Sequence, residues 1–292
     1  MQIYKYPDSS LWNEIIQRPS SDNLLLEKTI KKILGKVKQQ GDKAIKKYSK
    51  EFDGVTLRKL LVIEKEIKQA ETLLSDNLKK AIQQAKKNIE TFHAEQKEEI
   101  KKIETMPGVV CWRRSVAIEK IGLYIPGGSA PLFSTVLMLS IPAKLAGCKE
   151  IILCTPPSKD GTIPPAILYT AQLCSINKIF KVGGAQAIAA MAYGTESIPK
   201  VFKIFGPGNQ YVTLAKQLVQ QEGVSIDMPA GPSELLVIAD ETAVPEFVAA
   251  DLLSQAEHGS DSQVILITTD ESFGEKVIIE IGKQLEELPR KE

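Results

Sequence analysis

The chain has 292 residues, 43% apolar and 25% charged, with 37 basic against 36 acidic side chains and a net charge of +1. That length fits one large domain or two ordinary ones, with enough buried surface to fold without a disulfide or a metal. The balanced charge gives no bulk electrostatic case for a nucleic-acid or membrane partner, and no apolar run is long enough to span a bilayer. The four cysteines, Cys111, Cys148, Cys154 and Cys174, form no CxxC pair, and the opening residues lack the apolar core of a signal peptide. The setting these features imply is reducing and cytoplasmic, with free thiols.

The first hundred residues read as charged helices. Ser20, Ser21, Asp22 and Asn23 offer N-caps. Ile30, Ile33, Leu34 and Val37 then recur at helical spacing, and Gly41 ends or bends that helix. A second, longer helix carries Leu74, Leu78, Ile82, Ala85, Ile89 and Phe92 on one stripe. From Glu64 to Glu104, nine lysines are matched by nine acids. Such a run could serve as a nucleic-acid arm, but the balance favours a solvated face with i,i+4 pairs. Met106-Pro107-Gly108 breaks the section.

Beyond the break, strand-like runs at 116–124, 150–155, 178–182, 201–205, 235–239 and 264–268 alternate with helical patterns at 134–146, 166–174, 185–193, 210–220 and 246–256. This alternation predicts βαβ units with a mostly parallel sheet and helices on both faces. Glycine and proline cluster at successive strand ends: Ile125-Pro126-Gly127-Gly128, Gly183-Gly184, Gly206-Pro207-Gly208-Asn209 and Pro229-Ala230-Gly231-Pro232-Ser233. Each alone could be a tight turn, but four on one side of a sheet outline a crevice suited to a phosphate-bearing ligand. No G-x-G-x-x-G with a downstream acid follows the first strand, so the usual dinucleotide fingerprint is absent.

Five longer blocks carry a family resemblance: Gly122 to Leu139, Gly183 to Ala190, Ile204 to Asn209, Ile226 to Glu234, and Asp251-Leu-Leu-Ser-Gln-Ala-Glu-His-Gly259. Together, and in this order, they resemble the signature blocks of histidinol dehydrogenases. The resemblance implies oxidation of L-histidinol through the aldehyde to L-histidine, with two NAD reduced at one site, one zinc per site, and a homodimer. It implies an α/β fold of two Rossmann-like parallel-sheet domains with a helical N-terminal section. The division it suggests is an arm at 1–20, a discontinuous first domain at 21–120 and 235–292, and a second, NAD-binding domain at 121–234. Residue by residue, Tyr124, Gln186 and Asn209 match the family's NAD contacts. Ser233, Gln255 and His258 match substrate contacts, and Gln255 and His258 also match two zinc ligands. On sequence alone Tyr124 could equally be a core aromatic, Ser233 a turn or cap residue, and His258 an ordinary histidine. Cys148 and Cys154 invite a thiohemiacetal mechanism, but small buried hydrophobes are the simpler reading.

The family's remaining zinc ligands, an aspartate and a second histidine, match nothing in residues 1–292, nor does its Gly-Pro-Glu-His acid–base block. No catalytic residue is therefore assigned within the chain, and the acid–base Glu-His pair is expected beyond Glu292. His93 matches no family site. The resemblance implies a chain truncated at the C-terminus, its first domain incomplete, and inactive or nearly so by itself. Two further readings are a non-catalytic NAD-binding homologue and an aldehyde dehydrogenase-like oxidoreductase acting on another alcohol. The intact blocks weigh against the first, and Gln255 with His258 against the second.

Overall fold

The computed structural model describes residues 1–17, 23–128, 131–229, 234–257 and 262–288. They divide into two compact units, one made of residues 23–229 and the other of residues 1–22 with 230–292. The N-caps expected at 20–22 lie outside the described residues.

The larger unit begins with α1 (Asn23–Tyr48), two helical runs meeting at Gly41, whose φ of 51° and ψ of −131° break the helical path. A π-helical turn (Ser49–Asp53), α2 (Glu64–Thr72) and α3 (Asp76–Ala94) follow. An antiparallel hairpin, β1 (Lys102–Met106) and β2 (Val109–Trp112), precedes the main sheet. Pro107-Gly108, expected as a simple break, forms its turn, with Gly108 at φ 81°. Every hairpin residue is exposed, so no apolar alternation marks these strands in the sequence.

The sheet contains β3 (Lys120–Tyr124), β4 (Glu150–Thr155), β5 (Lys178–Lys181), β6 (Lys203–Phe205) and β7 (Ser225–Ile226), all parallel, in the order β5-β4-β3-β6-β7. Strand β3 is shorter than the run at 116–124, because Val116 and Ile118 are exposed and lie outside it. Helices α4 (Phe133–Leu145) and α5 (Pro165–Leu173) cross over on one face, and α6 (Gly184–Tyr193) and α7 (Gln210–Gln221) on the other. Side chains alternate accordingly. Ile121, Leu123, Ile151, Leu153 and Ile179 enter one apolar cluster, while Tyr124, Ile152, Cys154 and Phe180 enter the other.

The N-terminal helices form a further covering. Ile30, Ile33, Leu34, Val37 and Ile45 of α1 share the cluster of α6 and α7, and Ile67, Ala70 and Ile82 of α2 and α3 share that of α4 and α5. Residues 60–62 pair with the outer edge of β5, through Val62 N–H to Ile179 C=O (2.9 Å) and Lys181 N–H to Leu60 C=O (2.7 Å). Residues 23–120 thus close the faces and one edge of the 121–229 sheet, whereas the division drawn from the sequence groups 21–120 with 235–292. The reason is apolar surface, since α1, α2 and α3 bury their stripes there. The α3 stripe ends before Phe92, which is 67% exposed.

The smaller unit contains a short N-terminal helix (Ser9–Ile15) and a βαβ unit: β8 (Glu234–Ile238), α8 (Pro245–Ala256), β9 (Gln263–Ile267), then α9 (Glu271–Glu287). The two strands are parallel. Val248, Ala249, Leu252, Phe273 and Val277 form its core against Leu235, Val237, Val264 and Leu266, while Leu236, Ile238 and Ile267 on alternate positions are exposed.

Asp42, just after the Gly41 kink, docks α1 onto the loop that follows α6. Its carboxylate accepts from Thr195 Oγ1 (2.7 Å), Ser197 N–H (3.3 Å) and Ser197 Oγ, and its own N–H donates to Glu196 Oε2 (2.8 Å). Replacing Asp42 with Ala leaves those donors short of an acceptor, and the expected loss of unfolding free energy is roughly 1–3 kcal/mol. Denaturant titration checks this. An unchanged midpoint would assign the docking to helix packing alone.

Candidate functional site

In a sheet ordered β5-β4-β3-β6-β7, connections leave β3 and β6 toward opposite faces, which opens a crevice at the carboxyl ends of those two strands. Tyr124 is the last residue of β3, and the turn from Gly206 to Asn209 follows β6. A Cβ added at Gly206 would lie 2.0 Å from the Tyr124 carbonyl oxygen, and Gly206 has φ 134°. No other residue fits there, so the two strand ends meet backbone to backbone.

Tyr124 is nearly buried, and its phenol oxygen accepts the Gly184 N–H at 3.0 Å, at the first turn of α6. Gln186, two residues on, is also buried, and its amide lies close to Gly184. Asn209 is exposed and caps α7 by accepting the Val212 N–H (3.2 Å). Tyr124 therefore touches the start of α6 through its ring and the β6 turn through its backbone. Of the three residues expected to contact a cofactor, Tyr124 and Gln186 lie buried beside Gly184 and Asn209 stands exposed just before α7. All are neutral hydrogen-bonding groups, suited to ribose, amide or pyrophosphate oxygens.

Burial pushes the Tyr124 phenol up to about 12; the Gly184 N–H opposes this, and the charge of Asp53 adds to it. Tyr124 is thus a neutral phenol at physiological pH, a donor and acceptor rather than a base. Asp53 ends the π-helical turn, before Gly54 in the left-handed region. Its Oδ2 is buried without a hydrogen-bond partner, and burial raises its carboxyl to about 6. The sequence singled out neither Asp53 nor the pair Lys216 and Asp227, which flank Gly206. Asp227 Oδ2 accepts the Gly206 N–H (2.8 Å), and buried Lys216 donates to the Gly206 carbonyl (2.8 Å) and pairs with Asp227. One signal was available. Lys216 lies on the same stripe as Val212, Ala215 and Val219, an unusual place for a solvated lysine.

In the smaller unit, Gln255 lies in the last turn of α8, with its Nε2 buried and no hydrogen-bond partner among the described residues. Ser233 and His258 lie outside the described residues. So does Glu292, the residue beyond which the family resemblance places the acid–base Glu-His pair. No group of three or more His, Cys, Asp or Glu side chains able to hold a metal occurs among the described residues. His93 pairs with Gln96 on exposed α3, away from these groups. Cys154 is fully buried in the core and Cys148 is half-buried, and burial raises both thiols. Neither resembles an activated nucleophile, which requires an accessible, low-pKa thiolate. No helix among the described residues is long and apolar enough to cross a membrane.

The histidinol dehydrogenase family model matches residues 16–292. The histidinol dehydrogenase of Bacteroides thetaiotaomicron is 61% identical over 292 residues, covering 100% of this chain and 68% of that protein. That of Bacteroides fragilis is 60% identical, with the same coverage. The crystal structure of histidinol dehydrogenase from Elizabethkingia anophelis superposes with a TM-score of 0.93 at 59% identity, covering 100% of this chain and 67% of that one.

Asp53 generates a pH prediction. Its folded pKa lies above the ordinary carboxylate value, so its contribution to stability is greatest below about pH 4 and is lost as pH rises through about 6. Asp53→Asn should therefore stabilise the protein above pH 6, by less than the full shift implies because the group is partly solvent-screened, and flatten the stability profile between those limits. Urea unfolding across that range measures it. A variant less stable than wild type at pH 8 would mean that the carboxylate has a partner when ionised.

Proposed function

Because the chain belongs to the histidinol dehydrogenase family, a family of oxidoreductases, we propose that it oxidises L-histidinol through the aldehyde to L-histidine, the last steps of histidine biosynthesis, with NAD bound in the β3/β6 crevice. The observation that carries the cofactor reading is the meeting of Tyr124, the α6 start and the β6 turn at the strand-order reversal. There the phenol of Tyr124 and the amides of Gln186 and Asn209 orient the cofactor. The tight turns keep bulky side chains away from its backbone-facing side. Bound NAD supplies the hydride acceptor.

Ser233, Gln255 and His258 are the proposed substrate contacts, with Gln255 and His258 also the proposed zinc ligands. The Gln255 Nε2 is buried with no hydrogen-bond partner among the described residues, which leaves it able to donate to a bound substrate. Two protein donors fall short of the three that a catalytic zinc usually requires, so no step is routed through the metal. Oxidation of an alcohol also needs a base for the hydroxyl proton. The neutral Tyr124 does not provide one, and residues 1–292 contain no Gly-Pro-Glu-His block. In this reading the base belongs to a Glu-His pair beyond Glu292. The proposal includes a homodimer and a reducing, cytoplasmic setting for the free thiols.

The test is NADH formation from L-histidinol and NAD with added zinc, run with this chain and with a full-length relative alongside. Turnover by the relative and not by the 292-residue chain is expected. Comparable turnover would place the base within these residues. In direct NAD-binding titrations, Tyr124→Phe and Asn209→Ala should each weaken affinity roughly 3–10-fold, the range of one lost hydrogen bond. Unchanged affinity in both would remove the crevice as the cofactor site.

A further inference from the structure

The peptide of Gly206 is held more completely than the fold alone requires. Its N–H donates to Asp227 Oδ2 and its carbonyl accepts from Lys216 Nζ, each at 2.8 Å. Its α-carbon lies against the Tyr124 carbonyl with no space for a Cβ. Asp227 also ties back to β6, through its own N–H to the Ile204 carbonyl (3.2 Å). Lys216 comes from α7, Asp227 from the end of β7, and only Pro207 and Gly208 separate Gly206 from Asn209. Burying the Lys216 ammonium beside a half-buried Asp227 is a poor source of stability, because desolvation of the lysine offsets much of the attraction. An apolar side chain at 216 would fit the Val212, Ala215 and Val219 stripe at no such cost. The pair instead does what an apolar residue could not, satisfying the N–H and the C=O of Gly206, one on each of the two peptide units that flank its α-carbon, and so fixing where the next residues point.

We infer that Lys216 and Asp227 are positioning residues for cofactor binding, acting as a clamp on Gly206 that presents Asn209 and seats the Tyr124 strand end in the crevice. Neither side chain needs to touch the cofactor. The inference rests on the cofactor reading above. If the clamp is lost, Gly206 leaves its left-handed conformation, the turn before α7 samples other geometries, and affinity falls by the fraction of molecules in the competent one.

The experiment is calorimetric NAD titration of the purified chain, a readout that needs no turnover, with Lys216→Met and Asp227→Asn. It is performed well below each variant's melting temperature, with hydrogen–deuterium exchange followed over 204–212. Lys216→Met should weaken NAD binding about 10-fold and Asp227→Asn about 3-fold, because the asparagine oxygen still accepts the Gly206 N–H. Exchange should rise in that segment and remain unchanged in β4 and β5. If Lys216→Met does not fold, Asp227→Asn carries the test. A lowered melting temperature with NAD affinity within twofold of wild type would overturn the inference, leaving the pair a stabiliser only. If Tyr124→Phe and Asn209→Ala also leave affinity unchanged, the cofactor reading falls and the clamp inference with it. If those two weaken binding and the clamp variants do not, the clamp inference alone falls.

Discussion

The burial of α6 on every side is the constraint from which the larger unit follows. Residues Ala185 to Ala192 are all buried, covered on one side by the sheet and on the other by α1. Only small side chains permit such close approach from both directions, and the helix reads Gly-Ala-Gln-Ala-Ile-Ala-Ala-Met-Ala-Tyr. Where a larger residue occurs, the opposite side yields. Met191 lies where a Cβ on Gly122 would be, 2.5 Å away. A helix that is apolar all round is stable only when completely enclosed. Helix α1 is therefore part of the same core, and the kink at Gly41 with the Asp42 contacts sets the angle at which it closes.

The enclosure also gives α6 its functional end. With its sides sealed, partial exposure remains at its two end residues, Gly184 and Tyr193, and at the first the Gly184 N–H meets Tyr124 with the Gln186 amide close by. The opposite wall of the crevice depends on Gly206. Packing fixes one wall, and hydrogen bonding to the N–H and C=O of a single glycine fixes the other. The first tolerates no larger residue, and the second no loss of a donor or acceptor.

Much of this was legible in the sequence where burial is two-sided. The runs of β4, β5 and β6 and the small-residue pattern of α6 are continuous apolar signals, and the turns between them carry the glycines that backbone approach demands. Elements lacking burial left no such trace. The β1–β2 hairpin is exposed on all its residues and β7 is only two residues long, whereas α9 buries Phe273 and Val277 on too few positions to mark a stripe. Phe92 continued the α3 stripe in the sequence and is nonetheless exposed, because periodicity does not tell where a neighbouring helix ends. Tyr124, Gln186 and Asn209 became legible through the family resemblance, since a buried tyrosine or a capping asparagine has ordinary structural uses. Asp53, Lys216 and Asp227 depend on contacts between residues distant in the chain or on an orphaned atom, and no local pattern encodes them apart from a lysine on an apolar stripe.

The protonation states assign the crevice its share of the chemistry. A phenol pushed up to about 12 neither gives up nor takes a proton near neutrality, and the thiol of Cys154 is held protonated by its burial. Asp53 titrates closer to neutrality, yet burial is what raises it, and nothing in the described residues aims its orphaned oxygen at a reacting atom. Tyr124 and Cys154 therefore do not transfer protons near neutrality, and in the proposed reading the polar groups at the crevice serve to bind and orient. The acid–base work of alcohol oxidation has to be done by groups outside this crevice. The clamp inferred at Gly206 fits that separation, since holding the backbone of one glycine with Lys216 and Asp227 is a matter of geometry alone.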